Sequence, residues 1–356
     1  MGTAELRCRA HSHYMQKKDS MLKYIIRRLI HLVPVLLGVT LIVFTLTYIS
    51  PGNPARMMLP QDSTDEQVAE LEKAMGLDEP FVMQYFHFLF GYDGPGDSFD
   101  YKGLWALDLG RSYVSNRPVF GTILERFPNT MLLTFLALVL SIVISIPFGI
   151  ISATRQYTKT DMAVTIAALI GISMPAFWLG MMLIWVFSVN LRWFPSLANP
   201  ANLKSIILPA LTLAAMNTAV QTRMTRSSML EVVRQDYIRT ARAKGVDERN
   251  VIYRHALRNA LIPVVTVIGL QVGQLLVGAV LTETVFSYPG IGTIMVDAIQ
   301  RKDTPQILAS VVFVALVFAL VNLGVDILYA FIDPRIKAQY IGVVRKKGGL
   351  LNGAKI

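Results

Sequence analysis

The chain has 356 residues, of which 53% are hydrophobic and 16% charged, and its net charge is +10. A soluble domain usually carries about 25% charged residues, so this composition excludes an ordinary soluble protein and indicates one that crosses a membrane several times. The single cysteine, Cys8, excludes a disulfide within the chain.

Five hydrophobic runs are long enough to cross a bilayer, which takes about 20 apolar residues. They are residues 29–49, 130–151, 163–189, 262–281 and 307–332. The first run follows a polar stretch of twenty residues that shows no amphipathic period, and we expect that stretch to lack regular structure, with Met21 as an alternative start. A sixth run, 206–220, is short and contains Pro209, so hydropathy leaves it undecided.

The distribution of positive charge decides the sixth span. With six spans and a cytoplasmic N-terminus, 24 Lys and Arg residues lie in cytoplasmic segments and 10 lie outside. With five spans the numbers become 11 and 23, which inverts the usual bias of positive charge toward the cytoplasm. We therefore predict an all-α membrane protein with six transmembrane helices and two cytoplasmic tails, residues 1–28 and 333–356.

Residues 50–129 form the one sizeable segment outside the membrane, with 12 acidic and 6 basic residues. A helix is predicted from Asp65 to a stop at Gly76, and Pro80 is expected to begin a second, aromatic helix. We predict a compact extracytoplasmic subdomain. It serves either as a cap over the spans or as a docking surface for a partner outside.

The five-helix core, residues 130–332, contains a basic cytoplasmic loop at 221–261. Apolar residues recur there in steps of four from Met229 to Ala241, which predicts one helix that stops at Gly245. Glycine takes the left-handed conformation common at helix ends, and Asp247 is expected to cap a second short helix.

Two regions of the core predict a pathway through the membrane. Gln271, Gln274 and Gly278 share one face of the fifth span, and buried amides require protein or water around them, so that face either packs against another helix or lines a pore. After the fifth span, the turn at Tyr288 and Pro289 lies in a loop, 282–306, that we expect to dip back toward the membrane and to line the outer end of the pathway.

Asp326 is the only acidic residue within the predicted spans. An ionisable group at that depth is either functional or paired with an arginine of the nearby cytoplasmic loop. No P-loop, H-E-x-x-H or G-x-S-x-G motif occurs, and the five histidines lack ligand spacing. The sequence therefore predicts no catalytic residue, no metal site and no enzyme activity.

Three sequence runs carry a family resemblance: RMTRSSMLEVVRQDYIRTARAKG, HALRNALIPVVTVIGLQVGQLL and LTETVFSYPG, between Arg223 and Pro289. They closely resemble the membrane subunits of ATP-binding cassette importers, in the branch for dipeptides, oligopeptides and nickel. The resemblance extends to YIIRRLIHLVPVLLGVTLIVFTLTYISPGNPA, MGLDEPFVMQY and DLGRS, and covers the chain from Met21 to about Arg335.

In that family a cytoplasmic loop with the motif E-A-A-x-x-x-G, followed by I-x-L-P, docks into the ATPase subunit. Aligned on Gly245, this chain matches only at Ala241, Leu257 and Gly245 itself, so the resemblance implies docking but not the role of the glutamate. The residues implied in coupling to the ATPase are Arg239, Thr240, Ala241, Arg242, Lys244, Gly245, Asp247, His255, Leu257 and Arg258.

The resemblance implies a type I importer permease in the cytoplasmic membrane of a bacterium or archaeon, forming half of a translocation pathway for di- or oligopeptides. It implies a second permease subunit, an extracytoplasmic substrate-binding protein, and two ATP-binding cassette subunits that bind ATP and Mg, with no cofactor in this chain. Import of nickel or another small solute remains open, as does a stand-alone channel or secondary transporter. DNA binding is disfavoured because both ends of the basic loop are tied to spans.

Overall fold

The computed structural model describes residues 2–93 and 100–332, with the side chains of 26–93 and 100–328. Within these ranges the chain is helical and has no strand, only three isolated bridges between loop residues. The predicted C-terminal tail, 333–356, lies outside the described residues.

The first helix, α1, spans Gly2–Ile49, and its stretch Ile26–Ile49 is long and apolar enough to span a membrane. The expectation that the first twenty residues lack regular structure is wrong, because the helix begins near the start of the chain. An amphipathic period is not required for a helix, and no helix-breaking glycine or proline occurs between Thr3 and Val33.

Three short helices form the subdomain outside the predicted spans. They are α2 (Pro54–Met58), α3 (Asp65–Ala74) and α4 (Phe81–Phe90). As predicted, α3 ends at a glycine, Gly76, whose φ is +68°, and α4 begins after Pro80. The start of α3 is fixed by a reciprocal capping box between Thr64 and Gln67.

The remaining helices contain the other predicted spans and the basic loop. They are α5 (Val119–Thr154), α6 (Lys159–Ser173), α7 (Ala176–Leu183) with its π-helical continuation (Ile184–Asn190), α8 (Leu203–Val233), α9 (Asp236–Ala243), α10 (Glu248–Asn250), α11 (Leu257–Val285), α12 (Ile291–Gln300) and α13 (Thr304–Ile332). Among the described residues five helices are long and apolar enough to span a membrane, and the bent pair of α6 and α7 would make six. The undecided run around Pro209 lies within α8, one of the five.

The third predicted span, 163–189, is not one straight helix. The helices on either side of Met174 and Pro175 are bent by 110°. Met174 is extended, with φ −82° and ψ 129°, because the ring of a following proline disfavours the α conformation. A hydropathy count does not register this break, since the residues on both sides of it are apolar.

Two helix boundaries around the basic loop also differ from the prediction. α8 runs to Val233, and Gln235 is extended, so Met229 and Ala241 lie on two helices and not on one. Both nevertheless pack into the same apolar cluster, which explains the regular spacing of apolar residues across the break. The second short helix is the beginning of a continuous 38-residue helix, Glu248–Val285, which includes a π-helical turn at Val251–Ala256 and the fifth span.

Candidate functional site

The turn at Gly245 joins α9 to the Glu248–Val285 helix, and we call these two elements the Gly245 helix pair. Gly245 has a φ of +77°. Its N–H donates to the carbonyl of Arg242 at 2.9 Å, and the N–H of Val246 donates to the carbonyl of Ala241 at 3.2 Å. These two bonds close the C-terminus of α9, so the predicted helix stop is confirmed.

The second helix begins at a capped N-terminus, as predicted, because the carboxylate of Asp247 accepts from the N–H of Arg249 at 3.1 Å. An ion pair that the sequence analysis missed crosses the turn. Arg242 donates to both carboxylate oxygens of Glu248, at 3.0 Å from Nε and 2.7 Å from Nη2. The sequence signal that could have predicted this contact is the pair of opposite charges, Arg242 and Glu248, on either side of the glycine turn.

The Gly245 helix pair has a buried inner side and an exposed outer side. The inner side contributes Ile238, Val251 and Ile252 to a cluster with Met229 of α8. Of the ten residues implied in coupling, three are partly buried: Ala241, His255 and Leu257. The other seven are exposed: Arg239, Thr240, Arg242, Lys244, Gly245, Asp247 and Arg258. The structure therefore brings all ten to the Gly245 helix pair, with its cationic side exposed.

A buried ion pair holds three helices together next to this element. Arg226 of α8 donates from Nε and Nη2 to the two carboxylate oxygens of Asp161 of α6, both at 2.8 Å. Asp161 also accepts from the hydroxyl of Ser152 on α5 and from the N–H of Tyr157. Sequence reasoning missed this cluster because its members lie up to 74 residues apart.

The predicted pathway face of the fifth span is divided in the structure. Gln271 is buried, and its side-chain carbonyl accepts from Gln221 of α8 at 2.7 Å. Gln221 in turn accepts from Ser145 of α5 at 2.9 Å. Gln274 is exposed, whereas Gly278 is partly buried against α8. One glutamine thus belongs to the packing between helices, and the other faces away from it.

The turn at Tyr288 and Pro289 is closed against the start of α5. Tyr288 is fully buried, and its hydroxyl donates to the carbonyl of Asn129 at 3.1 Å. The amide of Asn129 donates to the carbonyl of Pro289 at 2.8 Å. Burial raises the pKa of Tyr288 to about 12, so its hydroxyl remains a donor at neutral pH. The predicted re-entrant loop contains a helix, α12, which packs against α11 and α13.

A fully buried carboxylate, Glu283, lies under this turn. It accepts from the hydroxyl of Thr130 at 2.6 Å and from the N–H of Gly292, at the start of α12, at 2.7 Å. The predicted fifth span ends at residue 281, which puts Glu283 in the following loop. In the structure α11 continues to Val285, so Glu283 lies in the last turn of that helix.

Asp326 has a partner on the first helix. Its carboxylate lies 3.0 Å from Nη2 of Arg28. Of the two alternatives for Asp326, the structure supports pairing with an arginine, but this arginine comes from α1 and not from the cytoplasmic loop, because α1 packs against α13. This ion pair supports a structural role for Asp326, in which it joins α13 to α1.

Comparisons with known proteins cover most of the chain. Residues 145–338 match the family described as "Binding-protein-dependent transport system inner membrane component". Residues 21–134 match its N-terminal membrane component. Together the two matches include the subdomain formed by α2 to α4, the helices α6 to α13, and α5 except for residues 135–144.

Three curated relatives are similar over 89% of this chain. The dipeptide transport system permease protein DppB of Alkalihalophilus pseudofirmus is 42% identical and is covered in full. The oligopeptide transport system permease protein AppB of Bacillus subtilis is 42% identical and also covered in full. The glutathione transport system permease protein GsiC of Escherichia coli is 43% identical and 99% covered.

Among solved structures, an inward-facing form of the MetNI methionine ABC transporter is similar to this chain with a TM-score of 0.50 and 19% identity. The match covers 60% of this chain and 96% of that chain. At this identity the similarity shows a shared fold, which is that of a type I importer permease.

Proposed function

Since the chain belongs to the family of binding-protein-dependent transport system inner membrane components, we propose that it is a permease subunit of an ATP-driven importer and forms half of a translocation pathway for di- or oligopeptides. One observation carries the peptide assignment. The three relatives described above, which are 42–43% identical over 89% of this chain, are named as permeases for a dipeptide, an oligopeptide and glutathione, and all three substrates are peptides.

The chain is a multi-pass protein of the inner membrane. We propose that both termini and the Gly245 helix pair lie on the cytoplasmic side. The support is the distribution of Lys and Arg, with 24 in the segments assigned to the cytoplasm and 10 in those assigned outside.

In this proposal two partner ATPase subunits bind ATP and Mg, and one of them docks on the exposed cationic side of the Gly245 helix pair. The ion pair between Arg242 and Glu248 keeps the turn in one shape. Because the second helix of the pair continues through its π-helical turn into the fifth span as one 38-residue helix, a displacement of the turn would move that span directly.

The outer end of the same helix is tied to the outer turn. Glu283 accepts hydrogen bonds from Thr130 of α5 and from the N-terminus of α12, so movement of α11 would displace both elements. A second permease subunit completes the pathway, and a substrate-binding protein delivers the peptide from outside. The family's description as binding-protein-dependent supports the last partner.

We propose that Gln274 faces the translocation pathway, because an exposed amide on a membrane span is unfavourable in contact with lipid. Gly278 lies next to it along the helix and permits close approach. Gln271 and Tyr288 are buried and Pro289 is partly buried within this chain, and their proposed contribution is to form the wall behind the pathway surface.

The test is peptide uptake by the assembled transporter. The chain is purified with its second permease and ATPase subunits, reconstituted in proteoliposomes, and supplied with its binding protein and a labelled dipeptide, glutathione or Ni²⁺. We expect uptake of a peptide that requires both ATP hydrolysis and the binding protein. Uptake of Ni²⁺ alone would overturn the peptide assignment, and peptide uptake by the chain without any ATPase would indicate a channel or secondary transporter.

A further inference from the structure

The helix α4 of the extracytoplasmic subdomain has one strongly exposed apolar side. The side chains on it are Val82, Met83, Phe86 and Phe90, with exposed fractions of 64%, 51%, 53% and 64%. Their spacing places them on one side of a helix, and the rings of Phe86 and Phe90 stack with centroids 5.6 Å apart. A contiguous apolar side of this kind is unfavourable in water and marks a contact surface.

The opposite side of α4 is attached to the first span. The hydroxyl of Tyr85 donates to the carbonyl of Leu37 at 3.3 Å and lies 2.9 Å from the hydroxyl of Thr40. The ring of Phe44 makes edge contacts with Phe81 and Tyr85, at centroid distances of 5.5 Å and 5.3 Å. α4 therefore packs directly on the apolar part of α1.

These contacts fix the depth of α4 in the membrane. The run of α1 without Lys, Arg, Asp or Glu is residues 29–49, and Leu37 and Thr40 lie on either side of its middle. A helix of that length is about 31 Å long, which matches the hydrocarbon core of about 30 Å, so both residues lie near the centre of the bilayer. A tyrosine side chain is too short to reach that level from the membrane surface, which places the backbone of α4 within one leaflet.

The charge of α4 and the surface around it agree with this depth. The helix contains no Lys, Arg, Asp or Glu, and its one histidine, His87, bonds to Glu79 at 2.7 Å. α1 contributes further exposed apolar residues, and only 11% of the most apolar window of its span is buried within the described chain. The apolar side of α4 is thus continuous with a surface that faces lipid.

We infer that α4 is embedded in the membrane beside the first span and that Val82, Met83, Phe86 and Phe90 contact lipid acyl chains. The extracytoplasmic subdomain is then anchored in the bilayer through α4, in addition to its covalent links to α1 and α5. It has a fixed orientation relative to the first span, which a cap held only by flexible links would lack.

The experiment places spin labels on the complete transporter in lipid nanodiscs. In a Cys8→Ser background, single cysteines are introduced by Val82→Cys and Phe86→Cys and labelled with a nitroxide. Two controls are matched for exposure: Leu46→Cys on the lipid-facing side of α1, and Glu66→Cys on α3. Accessibility to oxygen, which concentrates in lipid, is compared with accessibility to a water-soluble nickel chelate.

We expect the ratio of oxygen to nickel accessibility at positions 82 and 86 to equal that at position 46 and to exceed that at position 66 several-fold. A ratio like that at position 66 would overturn the inference, because α4 would face water. Low accessibility to both reagents would also overturn it, because another subunit or the binding protein would then cover α4. If either variant fails to assemble, Met83→Cys and Phe90→Cys report on the same side of the helix.

Discussion

At the scale of single residues, Gly245 is required for its backbone conformation and not because a side chain would lack space there. Its φ is +77°, and a Cβ added there would meet nothing within 4 Å in this chain. Residues with a side chain lose about 1–2 kcal/mol in this conformation, although asparagine adopts it more readily than most. Substitutions at this position therefore change the stability of the turn without changing its packing in this chain.

We predict that Gly245→Val lowers ATP-driven uptake while leaving membrane insertion intact. A cost of about 1–2 kcal/mol corresponds to a roughly 5- to 30-fold lower population of the closed turn. The matched control is Gly245→Asn, which should retain most of the uptake. Initial rates in proteoliposomes and co-purification of the ATPase subunits provide the measurements, and unchanged uptake by the valine variant would remove the turn from the coupling mechanism.

Gln271 and Gln274 offer a second comparison, three residues apart on one helix. Gln271→Leu removes a partner of the buried Gln221 amide, and the expected cost to folding is about 1–3 kcal/mol. Gln274→Leu removes no bond within the described chain, so we expect normal stability with altered peptide transport. Thermal unfolding in detergent and uptake in proteoliposomes distinguish the two, and a loss of subunit co-purification equal to the loss of transport would count against a pathway role for Gln274.

These residues also show where sequence reasoning succeeds and where it stops. The stop at Gly245 and the cap at Asp247 depend on neighbours a few residues away, and both were predictable from local rules. The partners of Glu283 and Gln271 lie 153 and 50 residues away along the chain. No local pattern identifies them, and for that reason the buried acid was missed and the sequence left open whether Gln271 packs against another helix or lines a pore.

At the scale of helices, hydropathy and charge predicted which segments cross the membrane, and five of those segments lie in helices long enough to do so. The interruptions were harder to predict. The break at Pro175 could have been read from the proline, whereas the break at Gln235 has no proline or glycine beside it. The second break coincides with the packing of α9 against α8 and the π-helical turn Val251–Ala256, which brings Ile238 into the core.

The contact between α5, α6 and α8 leads to a prediction at this scale. Arg226→Met leaves the carboxylate of Asp161 buried without its cation, and Arg226 is only 27% exposed. We expect a loss of about 1–3 kcal/mol, below the 3–5 kcal/mol typical of a fully buried pair because water still reaches the arginine. The double variant Arg226→Met with Asp161→Asn should recover part of this loss, since it removes the unpaired charge. Thermal unfolding in detergent tests both variants, and equal stability of the single and double variants would contradict the assignment.

At the scale of the whole molecule, one helix connects the two regions proposed to move. The Glu248–Val285 helix has 38 residues and is about 57 Å long, with the Gly245 turn at its start and Glu283 near its end. The subdomain outside is also tied to this frame, because Asp303, before α13, accepts from the hydroxyl of Ser112 and from the N–H of Tyr113. Movement of the long helix would therefore reach the outer turn without a flexible link between them.

The stiffness of that helix is open to a direct test. Leu270 and Val277 are 60% and 58% exposed, so changing them removes little packing within this chain. Replacing both with glycine costs about 1 kcal/mol of helix propensity at each site relative to alanine and makes the helix easier to bend. The variant with alanine at both positions also removes the large side chains but keeps the stiffness of the helix.

If the helix acts as a rigid connection, the amount of peptide transported per ATP hydrolysed should fall in the glycine variant and change little in the alanine variant. ATPase co-purification should be normal in both. An equal effect of the two variants would mean that the lost side chains matter and the stiffness does not, and the motion would then have to pass through the packing of α5 against α8.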